Sequence, residues 1–216
     1  VSRTTDVKYE MPSTALDEVR SVPGVEWAVP HLRATAAVRS GNGDLEGVTI
    51  IGVDDATLIG LPNEMQRGAK QLLASPDAVL IDDYGAKKMF KDDLDPVGQR
   101  LELNDQRAII LGIVDAIPTF TSQVTLFTKY SNALNFVPGT RNRQSFVLAG
   151  VTAGADPKAV ADRITRQTGW KAETRDEFAQ AGVDFIIQNT GIPTNFGITV
   201  VLGFVVGVAI VGLTFS

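Results

Sequence analysis

From residue 196 to residue 215 the chain carries no charged side chain. Twenty helical residues at about 1.5 Å each span roughly 30 Å, the thickness of the hydrocarbon core of a bilayer. The only hydroxyls in the run are Thr199 and Thr214, and a helix satisfies these with its own carbonyls. Gly197, Gly203, Gly207 and Gly212 would each weaken a helix in water. In a membrane helix they let neighbours approach closely. Gly203 and Gly207 form a GxxxG pair, which points to packing on other helices. The alternative is a buried core helix, which rarely runs so long without a polar face. Residues 196–216 therefore predict one transmembrane helix, and residues 1–195 are expected on a single side of the membrane.

Nothing in VSRTTDVKYEMP at the start has the basic and apolar regions of a signal peptide. If residues 1–195 lie outside the cytoplasm, an earlier membrane helix, ahead of Val1, is expected to carry them there. The chain is likewise expected to be part of a longer protein that continues past Ser216. Residues 1–195 are enough for one large domain or two small ones. The net charge of −5 argues against a nucleic-acid partner, which would need a basic face. No basic cluster flanks the apolar run to bind anionic lipid. There is no cysteine, so disulfides, thiolate zinc sites and thiol catalysis are excluded.

Two segments match in spacing: PSTALDEVRSVPGVEWAVP from Pro12 and PKAVADRITRQTGWKAET from Pro157. Aligning the prolines places Ala15 on Val160, Leu16 on Ala161, Val19 on Ile164 and Gly24 on Gly169. Apolar residues at i, i+1 and i+4 make one helical stripe, with proline opening and glycine following each helix. Strands are expected ahead of these helices, at 1–9 and 145–152, and after them, from Val25 and from Trp170. This reads as two β-α-β units of one split, ferredoxin-like α+β layer. Between them the pattern changes. Strands are expected at 48–53 and 78–81, and 58–74 is mixed. Asp82 or Asp83 is expected to cap a helix running to Phe90. Residues 97–103 and 107–114 form a hairpin turning at Asn104-Asp105, and 120–127 continues the β-rich character. Residues 175–189, with Phe178, Val183, Phe185, Ile186 and Ile187 among acids and glutamines, are expected as an amphipathic stalk that Pro193 bends.

The chemistry-bearing residues are few. Three acidic doublets stand out, Asp54-Asp55, Asp82-Asp83 and Asp92-Asp93. Paired-carboxylate hydrolysis needs two carboxylates in one cleft, and adjacent strand residues face opposite ways, so caps and solvated turns are expected. His31, the only histidine, is expected as a surface or hydrogen-bonded residue. A His-rich metal site is impossible. An all-oxygen calcium site stays open, although no EF-hand spacing occurs. There is no P-loop and no GxSxG, and the glycines of 40–44 form a turn, not a phosphate cradle, because no helix follows. Trp27 and Trp170 occupy matching places and are expected in the core. No catalytic residue, cofactor-binding residue or metal ligand is assigned, and no enzymatic activity is expected.

With these segments in view, the chain resembles the extracytoplasmic domain and second membrane helix of MacB/FtsX/LolC-type ABC-transporter permeases, nearest the DevC-like subgroup. The likeness is carried by SVPGVEWAVP, VTIIGVDDATLIGLP, PDAVLIDDYGAKKMF, VGQRLELNDQRAIILGIVD, SNALNF, RQSFVLAGVTAGADP, TRDEF and NTGIPTNFGITVVLGFVVGVAIVG. It implies a porter-like α+β subdomain at 1–45 and 143–174, an inserted sabre-like β-rich subdomain at 46–142, a stalk at 175–195 and a transmembrane helix at 196–216. It also implies a bacterial inner-membrane location with residues 1–195 periplasmic, and export of lipid, lipoprotein, peptide or small-molecule cargo by mechanotransmission. The implied partners are a separate ABC ATPase subunit, a second permease copy, a membrane-fusion-type periplasmic adaptor and a TolC-like outer-membrane channel. The alternative is a membrane-anchored extracytoplasmic binding or sensor module with no transport role. An enzyme with an unrecognised site would instead lose activity on substitution of an acidic doublet.

Overall fold

The structure, a computed structural model, describes residues 11–39, 45–90, 94–116, 123–140, 143–189, 196, 198–204 and 206. The fold mixes sheet and helix in the α+β manner expected. The chain divides into two compact units, Val1–Ala155 and Asp156–Ser216.

In the first unit the strands are β1 (Met11–Pro12), β2 (Val25–Arg39), β3 (Leu45–Val53), β4 (Met65–Arg67), β5 (Ala78–Asp82), β6 (Arg100–Leu103), β7 (Gln106–Val114), β8 (Thr125–Lys129), β9 (Arg143–Gln144) and β10 (Phe146–Val151). Its helices are α1 (Thr14–Arg20), α2 (Asp83–Met89) and α3 (Tyr130–Phe136). The large sheet runs β10-β2-β3-β8-β5-β7-β4, and β6 pairs with both β2 and β7. That last strand closes a ring. Following hydrogen-bonded neighbours from β2 through β3, β8, β5, β7 and β6 returns to β2, where Val38 faces Leu103. Closure leaves these six strands no open edge.

Alternation fills the barrel. Leu32, Ala34, Ala36 and Val38 of β2 are buried in one cluster with Val48 and Ile50, Val79 and Ile81, Leu101 and Leu103, Ala108 and Ile110, and Leu126. The residues between them on β2 are exposed, the period-two signal of a strand with one face inside. By contrast β5 is buried throughout. Its Val79 and Ile81 join the barrel interior, whereas Ala78 and Leu80 join a smaller outer cluster with Leu73, Val114 and Phe127. A strand covered on both faces reads as a continuous apolar run, and this is why AVLI was legible.

β2 serves two ladders. Residues from Val25 to His31 pair with β10, and those from Leu32 to Arg39 pair with β3. The hairpin turn lies where expected, with Asn104 and Asp105 both left-handed (φ 46° and 64°), as a two-residue type I′ turn requires.

Several expectations are corrected. Pro12 does not open α1. It pairs with Arg143 in β1, and the helix begins at Thr14 after Ser13. A proline lacks the amide of a ladder donor but keeps its carbonyl, and that of Pro12 accepts from Gln144 Nε2 at 3.2 Å. No strand follows Trp170. The amides of Trp170 and Ala172 are instead taken by the hydroxyls of Thr168 and Thr165, at 3.2 and 3.0 Å. Helix α3 was not anticipated, because its N-cap, Lys129, makes no side-chain cap. Its second residue is held from elsewhere, Ser131 N donating to Asp55 Oδ1 at 3.1 Å.

The strand expected at 1–9, the turn at 40–44 and Asp92-Asp93 lie outside the described residues. So does much of 196–216. Residues 198–204 are helical, and among the described residues no helix is long and apolar enough to cross a membrane.

Candidate functional site

The second unit holds α4 (Pro157–Thr168) and α5 (Arg175–Asn189), and the joint between them is the best-built polar arrangement in it. α4 starts with two signals together. Pro157 occupies its first turn, and the Asp156 carboxylate accepts from the amides of Lys158 and Ala159 at 3.1 and 3.3 Å. It ends at Gly169, left-handed at φ 76°, a conformation that costs a side-chain-bearing residue free energy. The hydroxyls of Thr165 and Thr168 each donate back to a carbonyl of α4 and accept an amide from the segment beyond. Residues 170–172 are thereby bound to the last turn of α4.

α5 then opens with a capping box. Thr174 N donates to Glu177 Oε2 at 2.9 Å, and Glu177 N donates to Thr174 Oγ1 at 3.3 Å. The other oxygen of Glu177 lies 2.7 Å from Lys158 Nζ, and Lys158 also meets Asp162 Oδ1 at 3.1 Å. One lysine in the first turn of α4 is thus tied to the first turn of α5. The Glu177 contact, helped by Asp162, raises the Lys158 ammonium above its ordinary value. The same contact, aided by the Thr174 amide, holds the Glu177 carboxyl below the ordinary glutamate value. An exposed pair of this kind adds little to stability. Its geometry instead shows the first turns of α4 and α5 lying side by side.

α5 is less amphipathic than its sequence suggests. At about 100° per residue, Phe178 and Val183 stand roughly 140° apart, and both are exposed.

The remaining sequence candidates occupy structural positions. Asp54 Oδ2 accepts from the amides of Ala56 and Thr57 and from the Thr57 hydroxyl. Asp55 caps α3 as described. Asp82 is 3 % exposed, and its Oδ1 accepts from Gly85 N and Thr125 N, both at 3.0 Å. It is the N-cap of α2 and a tie to β8 in one group. Burial raises its carboxyl above the ordinary aspartate value, against the opposing pull of the Thr125 and Gly85 amides. Asp83 pairs with Lys87 one turn on, at 3.3 Å. Caps and turns are therefore what these doublets form where they are described.

Trp27 is not in the core. It is 39 % exposed and lies against Gly150, its cross-strand partner, where any Cβ would collide with the indole. Trp170 is half-buried. His31 departs furthest from expectation. It is half-buried, and its Nδ1 is buried with no hydrogen-bond partner among the described residues. No cluster of metal-ligating side chains occurs among the described residues. The T-x-x-E of the capping box could have been read from the sequence, whereas Lys158 reaching Glu177 could not.

The fold is shared with known proteins. The structure of the periplasmic region of MacB from Actinobacillus actinomycetemcomitans aligns with a TM-score of 0.58 at 16 % identity, covering 87 % of this chain and 86 % of that one. The extracellular domain of the noncanonic ABC-type transporter YknZ from Gram-positive bacteria aligns with a TM-score of 0.57 at 17 % identity, covering 73 % and 81 %. No curated protein matches the sequence. The family model for the MacB-like periplasmic core domain matches residues 2–167, most of the chain. By that match the chain belongs to the MacB-like periplasmic core domain family.

Proposed function

We propose that this chain is the extracytoplasmic part of an ABC-transporter permease subunit in a bacterial inner membrane. It couples ATP hydrolysis on a separate chain to export of a lipid, lipoprotein, peptide or small molecule. The observation that carries this reading is the family match over residues 2–167. In this reading 1–45 and 143–174 form the porter-like subdomain, 46–142 the inserted one, 175–195 the stalk and 196–216 a transmembrane helix. Strand β2 pairs with β10 through its first half, and its second half is a barrel stave.

Two features support a mechanical role. The described apolar side chains at Ile198, Val200, Val201, Leu202 and Phe204 are all more than half exposed. At about 100° per residue they surround the helix, a distribution suited to lipid and to neighbouring membrane helices. The α4–α5 joint links the first turns of the two helices through Lys158 and Glu177 and holds 170–172 to α4 through the threonine bonds, a path by which movement of the membrane helix would reach α4. The expected partners are an ABC ATPase, a second permease copy, a membrane-fusion-type adaptor and a TolC-like channel.

The test is a flexible Gly/Ser linker inserted at 191–193 in the assembled transporter. Transport should be abolished while ATP hydrolysis persists. Surviving transport would remove the coupling role. A saturable ligand for this chain, with no ATPase recovered in pull-down, would favour the sensor module instead.

A further inference from the structure

His31 marks the point where β2 changes ladders. It is the last β2 residue paired with β10, opposite Phe146, and Leu32 is the first paired with β3, opposite Gly52. Ser145 secures the crossing. Its amide donates to His31 O at 3.0 Å, and its hydroxyl accepts from Arg33 N at 2.8 Å and donates to Arg33 O at 2.9 Å. The imidazole leans on Phe146, with ring centroids 6.3 Å apart at 45°.

The turn 54–61 covers the other side. A Cβ added to Gly60 would lie 3.0 Å from His31 Nδ1 and 3.2 Å from Cε1. The turn reaches this position with two left-handed residues, Leu58 at φ 57° and Gly60 at φ 105°. A leucine held there is strained. The same turn carries Asp55, whose carboxylate caps α3 through Ser131 N. It therefore touches two things at once, the imidazole at the ladder change and the start of the helix that packs against the barrel core.

Neutral imidazole fits this pocket, and imidazolium does not. Protonation at Nδ1 would create a donor facing Gly60 with no acceptor among the described residues. The charged and titratable groups on the surrounding elements are Arg33 on β2, Asp54 and Asp55 on the turn, Lys129 at the end of β8, Tyr130 on α3 and Arg143 on β9. Arg33 opposes a second positive charge. Asp54 is engaged by Ala56 and Thr57, Asp55 by Ser131, and the Tyr130 hydroxyl by Arg143 O at 2.8 Å.

We propose that the turn 54–61 is an acid-released latch: protonation of His31 lifts Gly60 from the ring and, through Asp55, uncaps α3. The latch would loosen the one strand common to both ladders. This inference does not depend on the transport reading.

The chain in lipid nanodiscs, examined by hydrogen exchange between pH 7.5 and 5.0 with intrinsic rates corrected, tests it. Burial, with Arg33 second, lowers the His31 imidazole from 6.5 to about 4. If the opened turn restores the ordinary value, opening is favoured about 30-fold at pH 5.0. Protection of 54–61 should fall by about that factor, with Ser131 N following. His31→Phe keeps a ring against Phe146 and takes no proton, so its turn should stay closed throughout. Unchanged protection in the wild-type chain overturns the proposal. So does increased protection, which would mean that Asp54 or Asp55 captures the imidazolium. An equal loss in His31→Phe overturns it as well. Should that variant fail to fold, the wild-type chain decides alone, because its single imidazole gives one titrating resonance. Loss of protection of 54–61 must set in near the ordinary imidazole value of 6.5, while that resonance still reports neutral imidazole, and loss that begins only at or below the resonance midpoint refutes the latch.

Discussion

Asp82 offers the sharpest test of the packing argument, because two substitutions at one atom should differ in outcome. Its Oδ1 accepts two amides in a site that is 3 % exposed. Asp82→Ala removes the cap of α2, worth about 1 kcal/mol. It also leaves the buried Thr125 amide without an acceptor, at about 1–3 kcal/mol. The expected loss is about 2–4 kcal/mol. Asp82→Asn keeps an oxygen in the same place and removes the charge that burial penalises, so it should stay within about 1 kcal/mol of wild type at neutral pH. The pH dependence separates them further. A carboxyl whose folded value is raised contributes stability below its ordinary value and loses it as pH rises through the raised value. The wild-type chain should therefore gain from this site on acidification, and Asp82→Asn should not. Urea unfolding in mild detergent, followed by the fluorescence of Trp27 and Trp170, measures both. If Asp82→Asn is as damaging as Asp82→Ala, the charge itself is needed and the acceptor argument fails.

Other consequences can be measured in the same way. Gly150→Val should cost about 1–3 kcal/mol, because its side chain must displace the Trp27 indole; Trp27→Ala in the same chain should recover part of that loss, and simple additivity would count against the contact. Asn104 is left-handed, accepts from Ala37 N at 3.1 Å and donates to Phe136 O at 3.0 Å. Asn104→Gly restores the conformation but neither bond, so it should lose roughly 1–3 kcal/mol in urea unfolding, and Asn104→Ala should lose more. Glu177→Ala should strip hydrogen-exchange protection from the first turn of α5 without unfolding α4. In the wild-type chain that turn should hold at neutral pH and loosen on acidification from the ordinary glutamate value down through the lowered one, since a depressed carboxyl stabilises only while ionised.

The legible parts of the fold were those set by local pattern. The buried run of β5, the cap at Asp82, the I′ turn at Asn104-Asp105 and the proline start of α4 all follow from neighbours within a few residues. What escaped depends on residues far apart. The barrel closes because Val38 meets Leu103, and α3 exists with a cap supplied by Asp55 some 76 positions away. Trp27 resembled a core residue until Gly150 came opposite it. The same holds for the joint. Its capping box was written in T-x-x-E, but the lysine that anchors it, 19 residues earlier, could be found only once the helices were placed.

The double membership of β2 also limits how this domain can be rearranged. Where an inserted module hangs from two loops, it can be exchanged between relatives by cutting at those loops. Here the barrel is entered through the middle of a 15-residue strand, with the change of ladder between His31 and Leu32. A chimaera built with the entire barrel of a relative must be joined inside that strand. Its junction succeeds only if both ladders accept the same register, because a slip of one residue would turn Leu32, Ala34, Ala36 and Val38 outward together. Recombination at this point is therefore confined to partners in step with each other, and the two parts are expected to have changed as a unit.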